Sequence, residues 1–200
     1  TVLSRGLGDV YKRQLPLGMP SVLDNVTHIL HSIPPSNNND PVYEMHYDDI
    51  KRLPELEWFG YLSTTGVYGD HQGAWVDETT PVSATNQRGE NRVIIEKLWL
   101  ESELPTNIFR LSGIYGEGRN NFIALKKNKA RRIKKDNQFF SRIHVEDISQ
   151  TLEKSIDSGI TNEIYNLADD MPCAASDVIE YAAKILNIEP PKFISLDDPS

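Results

Sequence analysis

Hydroxyl residues follow an apolar segment within residues 61–69, which read Tyr-Leu-Ser-Thr-Thr-Gly-Val-Tyr-Gly. The apolar residues 58–63 predict a buried strand, and the two glycines predict a turn after it. In α/β enzymes, ligands bind just beyond the carboxyl ends of the strands. We therefore expect a catalytic hydroxyl at this point of the chain.

Charged residues share one face of the helix that we predict for residues 86–103. Arg88, Arg92 and Glu96 are spaced four residues apart, so their side chains lie on the same side of a helix. One interpretation is a solvated face on which Arg92 and Glu96 form an ion pair. The other is that one of the arginines binds a cofactor phosphate or an anionic substrate.

A second group of basic residues lies within residues 126–135, where seven of the ten positions are Lys or Arg. A solvated face and an anion-binding patch are both compatible with this run. Nucleic-acid binding is not expected, because no aromatic residue interrupts the run to stack on bases. The net charge of -8 also differs from that of a typical nucleic-acid-binding domain, which is basic.

The histidine and cysteine positions suggest neither a metal site nor a disulfide. His144 is a possible general acid because its pKa range is near neutrality, but the acidic residues after it favour a structural role at a helix start. Cys173 is the only cysteine, which favours a reducing, cytoplasmic location. Neither a signal peptide nor an apolar run of membrane-spanning length is apparent, so no membrane partner is expected.

Hydrophobic periodicity predicts alternating strands and helices over most of the 200 residues. Such alternation is typical of an α/β domain with a parallel sheet covered on both faces. On the helix at 86–103 the expected apolar stripe contains Ile94, Ile95, Leu98 and Trp99. The predicted strands span residues 26–33, 58–63, 106–111, 139–145 and 163–167, and the other main helices span residues 146–156 and 176–186, the latter with Ser176 as its N-cap.

Residues 1–14 do not fit this pattern. Gly6 and Gly8 lack a third glycine at the required spacing and a preceding strand, so they do not form a dinucleotide-binding fingerprint. The segment is similar to translated adaptor sequence, and we expect a non-native leader over 1–14 followed by one domain over 15–200.

Three motifs resemble those of the extended short-chain dehydrogenases/reductases, the NAD-dependent epimerase/dehydratase group. They are residues 63–69, residues 109–116 (Phe-Arg-Leu-Ser-Gly-Ile-Tyr-Gly) and residues 143–148 (Ile-His-Val-Glu-Asp-Ile), in the family's order. The resemblance implies a Rossmann-type doubly wound parallel sheet and an NAD or NADP cofactor. It also implies truncation at both ends, because the family's glycine-rich phosphate loop precedes the strand at 26–33 and no such loop occurs in this chain. Substrate-side elements are expected after about residue 115.

The resemblance implies roles for single residues. Thr64 stands where the family has its catalytic Ser or Thr; the alternative is a hydroxyl that hydrogen-bonds the local backbone. Arg88 and Arg92 stand at the places of the catalytic Tyr and Lys, and a guanidinium cannot exchange a proton near neutral pH. This departure resembles atypical members of the superfamily and leaves Tyr68 as the replacement acid.

The implied ligand contacts divide into two sets. The cofactor contacts are Ser32, Ile33, Pro34, Ser63, Thr64, Arg88, Arg92, Ser112, Gly113 and Ile114, and the substrate contacts are Tyr115, Arg119, Arg131 and Arg132. Two functions stay open. One is an oxidoreductase or epimerase that acts on an anionic or nucleotide-sugar-like small molecule. The other is a non-catalytic dinucleotide-binding sensor or interaction module.

Overall fold

The computed structural model describes residues 2–3, 23, 25–36, 38–133 and 138–194. Its main sheet has five strands in the order β1-β2-β3-β4-β8, and the strands from β1 to β4 pair in parallel. This architecture confirms the predicted α/β class. The strands are β1 Val2–Leu3, β2 His28–His31, β3 Trp58–Thr64, β4 Thr106–Leu111, β5 Gly113–Tyr115, β6 Arg132–Ile133, β7 Arg142–His144, β8 Ile164–Leu167 and β9 Phe193–Ile194.

Helices follow most of these strands along the chain. The α-helices are α1 Pro41–Lys51, α2 Gln87–Leu100, α3 Asn121–Lys126, α4 Val145–Ser158 and α5 Ala175–Leu186, and a 3₁₀ turn spans Thr65–Val67. The chain forms two compact units. The first contains Thr1–Asp70, Val76–Leu111 and Thr151–Asn166, and the second contains His71–Trp75, Ser112–Gln150 and Leu167–Ser200.

The registers of β2, β3 and β4 align the carboxyl ends of these strands along one sheet edge. His31 lies opposite Tyr61, Ser63 lies opposite Arg110, and Thr64 lies opposite Leu111. Because neighbouring parallel strands end on the same side, the residues after β2 and β3 lie at a common edge.

Both helices that follow β2 and β3 begin with a side-chain cap. Asp40 accepts hydrogen bonds from the backbone N–H groups of Val42 and Tyr43 at the start of α1, and Asn86 accepts one from Gly89 at the start of α2. The Ser176 cap predicted for α5 is wrong. The N-cap residue is Ala174, and the Ser176 hydroxyl hydrogen-bonds Asp177 within the first turn.

The core of the first unit lies where α1 and α2 pack against the sheet. Its buried side chains include Ile29, Phe59, Ile95, Trp99 and Ile108. The predicted apolar stripe of α2 is only partly correct, because Ile94 is 46% exposed. Arg92 and Glu96, which one interpretation placed on a solvated face of this helix, are buried.

Residues 112–116 contain the short strand β5, which the sequence did not predict and which pairs with β7 in parallel. Within the predicted leader, Val2 and Leu3 pair with Leu30 and His31 of β2; the rest of the leader lies outside the described residues. Among the described helices, none combines the length and apolarity needed to cross a membrane.

Candidate active site

The end of β3 passes directly into a tight turn whose first hydroxyl is Thr64. Thr64 Oγ1 accepts a hydrogen bond of 3.2 Å from the backbone N–H of Gly66, which caps the 3₁₀ turn. Accepting this bond leaves the hydroxyl hydrogen of Thr64 able to donate to another group. The local contact is thus present, and the catalytic assignment of Thr64 stays a prediction.

Beside Thr64, Ser63 belongs to a buried polar cluster with Glu96 of α2 and Arg110 of β4. The Ser63 hydroxyl donates to Glu96 Oε1, and Arg110 donates to Glu96 Oε2 through Nη2 at 2.7 Å and Nε at 3.1 Å. Both charged side chains are about 95% buried. The predicted Arg92–Glu96 ion pair is therefore wrong, because the carboxylate of Glu96 forms its ion pair with Arg110.

The same cluster continues from Arg110 to Tyr68 and Asn166. Arg110 Nη1 donates to Tyr68 Oη at 2.7 Å, and Tyr68 Oη donates to Asn166 Oδ1 at 2.9 Å. Burial by itself would lower the pKa of Arg110, but the hydrogen bonds and charge of Glu96 outweigh it and raise that pKa. Tyr68 is only 2% exposed, so the proposed replacement acid has its hydroxyl committed to structural partners.

Arg92 is also buried, and it holds the end of β3. Its Nη1 donates to Tyr61 Oη at 2.8 Å and to the Leu62 carbonyl at 2.5 Å, while the guanidinium lies 5.3 Å from the centre of the Tyr61 ring. The solvated-face interpretation is wrong for Arg92, which is 8% exposed. Arg88, one turn earlier on α2, is exposed.

In the second unit, three of the predicted cofactor contacts, Ser112, Gly113 and Ile114, lie at the start of β5. Ser112 Oγ is buried and has no hydrogen-bond partner among the described residues, whereas the Gly113 N–H donates to the Ser141 carbonyl at 3.1 Å. The Tyr115 ring packs edge-on against His144, with 5.1 Å between ring centres. His144 Nδ1 accepts a bond from the Glu146 N–H, as expected for a residue at a helix start.

The predicted substrate arginines have different surroundings. Arg119 and Arg131 are exposed, and the backbone of Arg119 pairs with Gly116 in a tight turn. Arg132 is not part of a solvated face, since its guanidinium pairs with Glu180 and lies 4.1 Å from the Phe193 ring centre. Lys134 and Lys135 of the basic run lie outside the described residues.

Sequence reasoning missed Arg110 and Asn166 as members of the cluster. The available signal was a charged residue among the apolar residues at the end of a predicted strand, because an unpaired arginine is rarely buried. Arg110 occupies such a position in β4, where every residue is buried.

Two proteins are similar to this chain in sequence. Protein YeeZ of Escherichia coli (strain K12) is 31% identical over 150 residues, which cover 71% of this chain and 50% of YeeZ. A conserved protein of unknown function from Silicibacter pomeroyi DSS has a solved structure that is 48% identical, with a TM-score of 0.85. That match covers 89% of this chain and 64% of the other, so the chain spans about half to two thirds of the length of these relatives. No profile of a known protein family matches the chain.

A solved structure with a bound cofactor gives the decisive likeness. The UDP-glucuronic acid 4-epimerase of Bacillus cereus, in complex with NAD, superposes with a TM-score of 0.72 at 18% identity, covering 94% of this chain and 66% of the epimerase. The chain has the Rossmann-type fold of the NAD-dependent epimerases and dehydratases. This likeness establishes the fold that the sequence motifs predicted.

Proposed function

We propose that the protein binds a nicotinamide dinucleotide, NAD or NADP, at the edge formed by the carboxyl ends of β2 and β3. The observation that supports this most is the parallel pairing of β2 with β3, which ends with His31 opposite Tyr61, so that residues 32–34 and Thr64 both follow at the carboxyl side of that pair. In doubly wound sheets this edge is where dinucleotides bind. The epimerase from Bacillus cereus, which has the same fold, is in complex with NAD.

The chain also offers a polar group that fits such a cofactor. A buried hydroxyl that lacks a partner is unfavourable unless a ligand or water satisfies it. Ser112 Oγ is such a hydroxyl among the described residues, and it follows β4 directly. Ser112 would therefore hydrogen-bond a polar group of the bound dinucleotide, as the family resemblance implies.

We propose an oxidoreductase or epimerase reaction on an anionic or nucleotide-sugar-like small molecule. The nicotinamide, when bound, supplies or accepts a hydride. Thr64 would orient the substrate by donating its free hydroxyl hydrogen to a substrate oxygen, because its acceptor side is held by Gly66. Tyr115, Arg119, Arg131 and Arg132 are the proposed substrate contacts.

A second candidate function is dinucleotide binding without catalysis. It is favoured by Arg92, which stands where the family has a lysine and is hydrogen-bonded to Tyr61 and the Leu62 carbonyl. A guanidinium that remains protonated cannot relay a proton. A sensor or interaction module would keep the fold and the binding edge but carry out no turnover.

Cofactor titration and turnover distinguish the two functions in the protein expressed from its complete reading frame. Catalysis predicts a change in nicotinamide absorbance with anionic alcohols or carbonyl compounds, and Thr64→Val should lower turnover by roughly a hundredfold. Ser83→Ala, at an exposed hydroxyl, is the control. Cofactor binding without turnover would establish the second function, and absence of binding to all four nicotinamide dinucleotides would contradict both.

A further inference from the structure

His31, the last residue of β2, is fully buried and uses both ring nitrogens. Nε2 lies 2.7 Å from Asp40 Oδ2, and Nδ1 lies 3.3 Å from the backbone N–H of Ile33. A backbone N–H can only donate, so Nδ1 is the acceptor and carries no proton. The ring proton is therefore on Nε2, where it is donated to Asp40, and the hydrogen bonds fix a single neutral tautomer.

Asp40 is itself fixed by two helices. Its Oδ1 accepts from the N–H groups of Val42 and Tyr43 in α1, and its Oδ2 accepts from Trp99 Nε1 of α2 at 2.9 Å. Burial acts to raise the pKa of Asp40, but the hydrogen bonds from His31, Trp99 and the Val42 N–H lower it overall. Asp40 is thus an ionised acceptor that sets the orientation of the imidazole.

Aromatic side chains hold the ring of His31 in place from β3 and α2. The ring centre of Tyr61 lies 5.0 Å away, that of Trp99 lies 5.6 Å away, and that of Phe59 lies 6.2 Å away. A ring packed on these sides has little freedom to rotate, so its Nδ1 acceptor has a defined position at the end of β2.

The segment after β2 has few backbone donors with which to fix its path. Pro34 and Pro35 have no N–H, so Ile33 is the last donor before Ser36. Ser36 exchanges two backbone hydrogen bonds with Asn39, which anchors the far end of the segment. The bond from Ile33 to His31 therefore anchors the near end.

We propose that His31 is a positioning residue for the dinucleotide site. Its unprotonated Nδ1 holds the Ile33 N–H and so sets the path of residues 32–34, which contact the nicotinamide half of the cofactor. This inference rests on the proposed function, since those residues are its predicted cofactor contacts. Asp40 acts indirectly, by holding the imidazole in the tautomer that accepts from Ile33.

Two amide substitutions separate the two hydrogen bonds of His31. In His31→Asn, the side-chain oxygen can take the place of Nδ1 and accept from Ile33, but the side chain is too short to reach Asp40. In His31→Gln, the side-chain nitrogen can take the place of Nε2 and donate to Asp40, but no acceptor remains for Ile33. His31→Asn thus tests the hydrogen bond to Asp40, and His31→Gln tests the hydrogen bond from Ile33.

The experiment measures the dissociation constant for NADH and NADPH, together with urea unfolding, for the protein from its complete reading frame. We expect His31→Gln to weaken binding of the preferred cofactor about tenfold, the effect of one lost hydrogen bond. We expect His31→Asn to be less stable and yet to bind within about threefold of the wild type. If His31 had only a structural role, the variant that loses more stability would also lose more cofactor affinity. Weaker cofactor binding by His31→Asn than by His31→Gln would therefore overturn the proposal.

Amide hydrogen exchange without cofactor gives a second readout. The Ile33 amide should exchange faster in His31→Gln than in His31→Asn or the wild type. Equal exchange in both variants would overturn the positioning role even where the wild type binds cofactor. If the wild type binds no dinucleotide, the proposed function fails, and the exchange rates still decide whether His31 fixes residues 32–34.

Discussion

At the residue scale, Glu96 determines whether the polar cluster beside Thr64 can remain buried. Its carboxylate is the partner of both the Ser63 hydroxyl and the Arg110 guanidinium. A buried ion pair contributes little net stability compared with an apolar pair, but removing one partner leaves an uncompensated charge. The end of β3 thus depends on an almost completely buried charge on α2.

Neutralising this carboxylate tests that dependence. We expect Glu96→Gln to lower the free energy of unfolding by about 3 kcal/mol, because the buried Arg110 loses its counter-charge. Urea unfolding followed by tryptophan fluorescence measures the change. Glu101→Gln is the matched control, since Glu101 forms an exposed pair with Lys97 at the end of the same helix. A similar loss in both variants would contradict the role given to burial.

Arg88 supports a binding prediction rather than a stability prediction, because it is exposed in the first turn of α2. We expect Arg88→Ala to weaken binding of an anionic dinucleotide about tenfold, as for one charge-assisted hydrogen bond. Isothermal calorimetry with NAD and NADP measures this effect. Lys97→Ala removes an exposed charge from the last turn of α2 and should leave affinity unchanged. Unchanged affinity in Arg88→Ala would rule out a phosphate contact.

At the element scale, the start of α2 lies against the turn that follows β3. A Cβ atom added at Gly89 would lie 2.8 Å from the Gly66 carbonyl oxygen and 2.9 Å from Ala84 Cβ. These distances are shorter than a normal van der Waals contact, so only glycine allows this approach of helix and turn. The turn contains the Gly66 N–H that binds Thr64, and Gly89 therefore influences the hydroxyl through packing.

We expect Gly89→Ala to destabilise the protein by about 1–3 kcal/mol through overpacking. Intrinsic helix propensity alone predicts the opposite sign, since alanine is favoured over glycine within a helix by about 1 kcal/mol. Chemical unfolding determines the sign. Glu90→Ala, at the exposed next position of the helix, is the control and should be close to neutral.

Two of the strands predicted from the sequence match the structure closely. The strand predicted at 106–111 coincides with β4, and that at 58–63 differs from β3 by one residue, because their apolar runs end at clear polar or glycine signals. The strand predicted at 26–33 is shorter in the structure, where only His28–His31 pairs with its neighbours. The strand β5 was missed, since three residues that pair with a distant strand leave no periodic signal.

At the scale of the whole molecule, the buried Asp40 makes stability depend on pH. Its pKa is lowered in the folded protein from an ordinary value of 3.8. A carboxyl group whose pKa is lowered by folding stabilises the protein fully at pH values above its pKa in the unfolded state. This stabilisation is lost as the pH falls through its pKa in the folded state. In that range the unfolded state binds more protons, so the free energy of unfolding falls with falling pH.

We expect Asp40→Asn to be less stable than the wild type at neutral pH, with a difference that stays nearly constant until the pH approaches 3.8 and narrows as the pH falls below it. The variant lacks the carboxylate charge opposite His31, and its amide offers an extra donor where Trp99 Nε1 already donates. Urea unfolding at a series of pH values provides the measurement. A difference that is constant across the series would show that Asp40 does not contribute through its ionisation.

The sequence by itself determined the α/β class, the hydroxyl at the end of β3 and the presence of the helix α2, since these follow from local composition and periodicity. Only the tertiary structure decided that Glu96 pairs with Arg110, and that His31 is tied to Asp40 and Ile33. The physical reason is that helix spacing gives the side of an element on which a residue lies, but the partner on that side depends on strand register. The parallel alignment of Ser63 with Arg110 brings that guanidinium beneath α2 and leaves Arg92 to hold Tyr61.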